Sequence, residues 1–339
     1  MKYLYILSSD ASDYHLEQAM LSITSLRIQM PTAFVSLLID DITETTLSGN
    51  RGKIVNLVDE LKVIDIDVQF DKKARSQWLK TSMRHHVEDD FLFINNDTIV
   101  SADLSSITNI ETDLGAVLDE HLYLSEFEIL RPVRLKEIKH MFKRCKFNSP
   151  FDFKIYFNSG VFFCRESKTA HDFFLEWHRL WLHCFKIGKF TGQPPLNQAN
   201  FNMGNVIKEL DGIWNCQIGS DGALRFLFNA KIIRCFETQA AEKPFLLANR
   251  DHLICIKKTG AVGDDTLEML KTPKSFFSDY THLMVLDKAM REFHHSAFFG
   301  AVKRIYFSML GTIIKTFLVN ISRFIFTPIR KKSSVRKPK

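Results

Sequence analysis

Short apolar runs alternate with segments of helical periodicity, and this constrains the fold more than any other feature of the chain. Residues 2–8 are a mostly apolar run at the very start, and Leu16, Met20, Ile23 and Leu26 follow at helical spacing. Residues 34–39 are apolar and end in Asp40-Asp41; residues 63–70 alternate; residues 77–87 have a helical pattern; residues 91–94 are wholly apolar. Each short apolar run predicts a strand. Strands that alternate with helices imply an α/β domain with a largely parallel sheet. Residues 114–118, 156–164 and 226–236 read as further strands. Residues 167–185 predict an amphipathic helix with Phe173, Phe174, Trp177, Leu180, Trp181 and Cys184 on one face. No internal repeat or long low-complexity linker interrupts the pattern.

A length of 339 residues accommodates one large domain or two ordinary ones. The cysteines, at 145, 164, 184, 216, 235 and 255, lie too far apart for a CxxC or zinc-like spacing. The N-terminus turns polar after seven residues, too soon for a secretory signal. Reduced thiols and a cytoplasmic location are therefore expected.

Charge is unevenly placed. Residues 296–339 hold ten Lys or Arg and no acid, whereas residues 1–295 carry 35 basic and 39 acidic groups. Within the basic segment Phe298, Val302, Tyr306, Met309, Ile313, Phe317, Ile321 and Phe324 recur at helical spacing. Lys303, Arg304, Lys315 and Arg323 break the run well short of the ~20 apolar residues a spanning helix needs. A helix or helix pair lying in an anionic membrane interface is expected, continued by a polybasic end. The alternative is a terminal helix docked on the body. Nucleic acid is not expected, because it would leave the aromatic face without a partner.

Chemistry concentrates at residues 91–100, where an apolar strand ends abruptly in Asn95-Asn96-Asp97. In open α/β sheets ligands bind beyond the carboxyl ends of the strands. A short acidic or amide cluster there can hold a divalent cation that bridges phosphates. A cap or turn explains the same residues equally well.

Further segments give this one a context. Residues 3–14 (YLYILSSDASDY), 75–84 (RSQWLKTSMR), 91–100, 156–161 (YFNSGV), 193–197 (QPPLN), Trp214-Asn215 and 243–245 (KPF) occur in this order. Together they resemble the GT-A glycosyltransferases, most closely family 8, the group of glycogenin and bacterial lipopolysaccharide glucosyl- and galactosyltransferases. The resemblance covers about residues 1–250 and implies the GT-A fold: a Rossmann-like mixed sheet flanked by helices. Residues 251–295 would cap this domain and residues 296–339 would form the membrane-associating tail.

The resemblance also implies an activity, the transfer of a hexose from a UDP-sugar to a glycan or lipid-linked acceptor in cell-envelope polysaccharide or lipopolysaccharide synthesis. Configuration would be retained. The enzyme would sit peripherally on the inner face of a bacterial membrane. Ser8, Ser9 and Asp10 would line the base and ribose, and Tyr14 would stack on the uracil. Arg75, Lys80, Asn96, Asp97, Arg234 and Lys243 would face the donor. Asp119, Asn158 and Gln193 would attend the reacting sugar. A Mn or Mg ion would be held by Asp97 and Asn95.

Three departures bear on that picture. The DxD motif of the family reads Asn95-Asn96-Asp97, the Asp of its DQxxLN segment is Gly192, and its later metal-binding His corresponds to Arg234. A cation at 234 would replace the metal's charge directly. A binding-only relative, or a membrane-surface scaffold, is the alternative function.

Overall fold

The computed structural model describes residues 1–67, 69–148, 152–188, 191–218, 220–235, 246–277, 293, 296–314 and 316–317. Its frame is a sheet with strand order β3-β2-β1-β4-β7-β6-β8. The strands are β1 (Lys2–Leu7), β2 (Val35–Asp40), β3 (Glu60–Ile64), β4 (Phe91–Ile94), β6 (Leu114–Leu118), β7 (Phe157–Cys164) and β8 (Ile207–Glu209). β7 pairs antiparallel with both β4 and β6, and the other pairings are parallel. A smaller sheet joins β5 (Thr98–Val100), β10 (Ile232–Arg234) and β9 (Cys216–Gln217).

The central strand explains the layering. Successive side chains of β1 point to opposite faces. Tyr3, Tyr5 and Leu7 enter a core with α1 (His15–Gln29) and the smaller sheet, whereas Leu4 and Ile6 enter one with α2 (Lys72–Ser82) and α5 (Lys168–Lys186). A strand clad on both faces must be apolar throughout, which is why its sequence shows no polar alternation. The predicted stripe on α5 is buried at all six positions.

Caps set the helix boundaries. Asp71 accepts from the Ala74 N–H at 2.7 Å, so α2 begins five residues before the expected stretch and passes into a short 3-10 turn at Met83–His85. Ser167 likewise accepts from Ala170 N–H and starts α5. Such caps satisfy backbone donors that the first turn leaves open.

Two strand expectations are corrected. The alternating segment 63–70 is strand only to Ile64, where β3 loses its partner because β2 ends at Asp40. Beyond it Ile66 and Phe70 bury themselves in the core without a ladder. In residues 226–236, a helical turn at Leu224–Leu227 precedes β10.

The strand order places a switch point at β1. The chain passes from β1 to β2 and β3 on one side, then returns to lay β4 on the other. Connections that leave in opposite directions open a crevice at the carboxyl ends of the two strands. Between β6 and β7 the chain builds α3 (Leu124–Leu130) and α4 (Pro132–Cys145), and after β7 come α5 and α6 (Gln193–Asn202). Later helices are α7 (Arg250–Thr259), α8 (Asp264–Lys271) and α9 (Ala297–Phe307).

The basic segment starts as a docked helix. Gly300 of α9 is buried against Leu130, where an added Cβ would collide, and Arg304 donates to the Glu128 carbonyl. The opposite face is open: Phe298, Val302, Ile305 and Tyr306 are exposed, and Met309 beyond the helix is 85% exposed. Residues 318–339, with Arg323 and the polybasic end, lie outside the described residues. No helix among the described residues is long and apolar enough to cross a membrane.

Glu17, in the first turn of α1, is 1% exposed, and apart from its own backbone N–H its carboxylate has no donor. Burial raises its pKa, with Lys257 and Arg51 only partly opposing. A carboxyl raised in the folded state favours folding below its unfolded pKa of about 4.3. That contribution is lost as pH rises through the folded value. Glu17→Gln should therefore stabilise the protein at pH 8 by roughly 1 kcal/mol in urea unfolding, with the gain vanishing near pH 4. No gain at pH 8 would mean that Glu17 has a donor in solution.

Candidate functional site

A cavity of about 640 Å³ occupies the crevice at the switch point. Its walls come from the end of β1 (Ile6, Ser8), one edge of α1 (His15, Gln18), α2 (Lys72, Lys73, Ser76, Gln77, Lys80) and the end of β4 (Phe93, Asn95, Asn96, Asp97). Ser159, Thr191, Gly192, Gln193 and Arg234 complete them. Asn96 Nδ2 donates to the Ile6 carbonyl at 2.8 Å and ties the two strand ends together.

Along the cavity lies a half-buried ion pair. Arg234 Nε donates to Asp97 Oδ2 at 3.0 Å, and Asn95 Nδ2 donates to Asp97 Oδ1 at 2.9 Å. Burial alone would raise the Asp97 pKa; the Arg234 guanidinium, the Asn95 amide and Lys80 outweigh it and hold the carboxyl below its usual range. Lys80 Nζ lies 3.4 Å from Asn95 Oδ1 and 4.9 Å from the centre of the Phe93 ring.

This donor set does not fit a divalent cation. Hard cations need anionic oxygens with free lone pairs directed at the metal. Asp97 spends one oxygen on Arg234 and the other on Asn95, and the Asn95 oxygen faces an ammonium. Among the described residues no group of three or more His, Cys, Asp or Glu could hold a metal ion.

The walls suit an anion instead. Lys72, Lys73, Lys80 and Arg234 meet a single lining carboxylate, that of Asp97. Positive charge in a walled cleft attracts anions, and guanidinium and ammonium groups match phosphate oxygens. Two lining polar atoms have no hydrogen-bond partner among the described residues, Ser8 Oγ and Asn96 Oδ1, whereas the Gln193 side chain bonds Tyr156. Buried polar atoms are nearly always paired, so two orphans at the ends of β1 and β4 point to a polar ligand at this crevice.

Of the residues expected from sequence, the structure brings Ser8, Lys80, Asn95, Asn96, Asp97, Gln193 and Arg234 to this cavity. Lys243 lies outside the described residues. The others are placed differently. Tyr14 packs partly on the core, with Arg250 and Lys257 over its ring at 4.5 and 4.4 Å, and does not line this cavity. Arg75 is buried against Asp40 and the Phe70 carbonyl. Ser9 is bound to Asp13, Thr43 and Arg51. Asp10 is held by Ser12 and Lys72.

Asp119 and Asn158 form the frame behind the cavity. Asn158 Nδ2 donates to Asp119 Oδ1 at 2.8 Å, and Asn158 Oδ1 accepts from the Gly160 N–H, Asn215 and, at 3.4 Å, Arg234. Arg134 takes the other Asp119 oxygen at 3.0 Å. Both side chains are buried and neither lines the cavity. Alternation along β7 instead turns Ser159 into the cavity.

At Gly192 an added Cβ would collide only with Gln77 Oε1, the far end of a flexible side chain of α2 that would have to turn aside. Asn197 fixes the same turn, accepting from Phe157 N–H and donating to the Phe157 carbonyl. Sequence reading missed Lys72, Lys73, His15, Gln18, Gln77 and Thr191. The Lys72-Lys73 pair just after the capping Asp71 was the available signal for the first two.

No protein-family model and no curated protein matches the chain. Solved structures do. A bifunctional glycosyltransferase, WbbM, aligns with a TM-score of 0.50 at 16% identity over 80% of this chain, which spans about half (51%) of that protein. The galactosyltransferase LgtC, solved with donor and acceptor sugar analogues, aligns at 0.49 and 13% identity over 84% of this chain and 100% of its own. GlyE of Streptococcus pneumoniae TIGR4 aligns at 0.43 and 16% identity over 82% and 66%. The seven-stranded mixed sheet with flanking helices is thus the fold of the GT-A glycosyltransferases.

Proposed function

We propose that this protein transfers a hexose from a UDP-sugar to a glycan or lipid-linked acceptor in envelope polysaccharide or lipopolysaccharide synthesis, with retention. The observation that carries the reading is the cation-rich cavity at the switch point, with Ser8 Oγ and Asn96 Oδ1 unpaired among the described residues at its two central strand ends. A nucleotide sugar offers a diphosphate to the cations, and hydroxyls and base edges to the unpaired atoms.

In this reading the diphosphate lies against Lys80 and Arg234, and the sugar lies toward Gln193. The acceptor hydroxyl attacks the anomeric carbon from the side on which the diphosphate leaves. The new C–O bond forms as the bond to the diphosphate breaks, and the hydroxyl proton passes to the departing phosphate oxygen. No strong general base is then required. Catalysis rests on positioning and on permanent positive charge at the leaving group. Asp97 aims Arg234 and takes no part in the chemistry.

The tail reading extends from the same chain. The docked face of α9 leaves Phe298, Val302, Ile305 and Tyr306 outward, and residues 296–339 carry ten cations without an acid. That combination suits peripheral attachment to an anionic bilayer, at the cytoplasmic face.

Four outcomes test this function. UDP should raise the Tm more than GDP or CMP does; an equal or larger shift with GDP or CMP removes the uridine assignment. Hydrolysis of UDP-hexose, measured as UDP release, separates an enzyme from a binding-only relative. UDP binding should survive EDTA, whereas Arg234→Ala should weaken it by about 2 kcal/mol, the scale of a hydrogen bond between charged groups. Loss of binding on chelation, with rescue by Mn²⁺, would return the metal to the site. Full-length protein should sediment with vesicles containing phosphatidylglycerol at low salt, less so at 0.5 M NaCl, and not after deletion of residues 296–339. Deletion that leaves vesicle binding intact would place the membrane contact elsewhere.

A further inference from the structure

Two thiols meet where α4 and α5 end. Cys145 is the last residue of α4, and Cys184 lies in the last turn of α5. Both are buried, and Cys184 Sγ donates to Cys145 Sγ at 2.9 Å. The other buried thiols are held differently: Cys164, Cys216 and Cys235 face the backbone carbonyls of Arg165, Ala223 and Asp97. A disulfide is about 2.05 Å long, so closing the bond requires the two sulfurs to approach by about 0.9 Å. We propose that Cys145 and Cys184 are a redox site, a dithiol that a peroxide or a small disulfide oxidises, and that the resulting bond staples the α3–α4 hairpin to the main core.

The two helix ends are positioned by contacts other than the sulfurs. His183 Nε2 donates to the Cys145 carbonyl at 3.0 Å, and its ring lies 6.2 Å from that of Phe147. Lys146 takes a left-handed conformation, with φ at 54°, that ends α4. The Asn148 N–H then donates to Gln198 Oε1 at 2.9 Å. With both backbones anchored side by side, the remaining approach is within the reach of side-chain rotation.

The bond would join parts that pack in separate clusters. The hairpin has its own cluster, built on Phe127, Leu135, Ile138 and Phe142. Helix α5 belongs to a core of the large sheet through Phe173, Phe174, Trp177 and Trp181. The cysteines lie 39 residues apart in sequence, so a cross-link restricts the unfolded chain and holds the hairpin down.

Chemistry sets the pace. The Cys145 sulfur and burial push the Cys184 thiol well up, so little thiolate exists at neutral pH and oxidation is slow. One thiolate attacks the peroxide and breaks its O–O bond, which gives a sulfenic acid and hydroxide. The second sulfur then displaces hydroxide from the sulfenic sulfur, and the S–S bond forms. Two thiols lose two electrons and two protons, and the peroxide takes both and leaves as two waters. A small disulfide takes the same electrons by exchange and leaves as two small thiols.

The test uses the full-length protein by two routes. Reduced native protein is incubated with hydrogen peroxide, and protein unfolded in urea is refolded with oxidised glutathione. Free thiols are alkylated and the unreduced peptides are mapped by mass spectrometry. The expected product has one cross-link, Cys145 to Cys184, with the other cysteines alkylated. Its Tm should exceed that of the reduced protein by several degrees. Amide exchange in residues 124–145 should slow, while that of residues 15–29 stays the same, and dithiothreitol should reverse both changes. Cys145→Ala and Cys184→Ala should each abolish the Tm gain. A missing cross-link by both routes, or one that joins a different pair, overturns the proposal. So does a Cys145–Cys184 bond that leaves exchange in the hairpin unchanged. If an alanine variant does not fold, the peptide map and the exchange of the wild type decide.

Discussion

A half-buried carboxylate at the end of a central strand favours a counter-charge, and the pairing of Asp97 with Arg234 organises what surrounds it. Arg234 is the last residue of β10, which runs antiparallel to β5 just beyond Asp97. The Cys235 N–H also donates to the Asp97 carbonyl at 3.1 Å. The ion pair thus sits where the smaller sheet closes over the larger one. Asn95, Asn158 and Lys80 surround it, so desolvation of the two charges is offset by several hydrogen bonds and not by one contact alone. Removing one partner would leave the other half-buried without its counter-charge.

That pairing also decides the chemistry the crevice favours. A carboxylate with both oxygens engaged is a poor ligand for a hard cation, and a guanidinium aimed into a cavity is a good partner for a phosphate. Lys72, Lys73 and Lys80 of α2 reinforce the same sign from the facing wall. Lys72 is itself anchored by Asp10 and Asp13, so the loop after β1 helps to position the cations without contributing its carboxylates to the cavity lining.

The α3–α4 hairpin links two features that lie apart in sequence. Its α3 receives Gly300 of the basic segment, and its Arg134 grips Asp119 behind the crevice.

The sequence by itself determined the fold class and the location of the crevice. Its apolar runs are strands because β1, β2 and β4 are covered on both faces, and period-2 or period-3.6 burial is a local property that sequence displays directly. It also pointed to the strand end that borders the crevice, because Asn95-Asn96-Asp97 ends an apolar run there. Only the tertiary structure decided which polar residues face the ligand. Tyr14, Arg75, Asp119 and Asn158 have the right chemistry and sit in segments adjoining the crevice, yet each is taken by a partner distant in sequence: Arg250 and Lys257, Asp40, Arg134, and Asn215. Whether a side chain is spent inside the protein or left for a ligand depends on long-range hydrogen bonds and charges. These arise when the sheet brings remote residues together, and no local pattern encodes them.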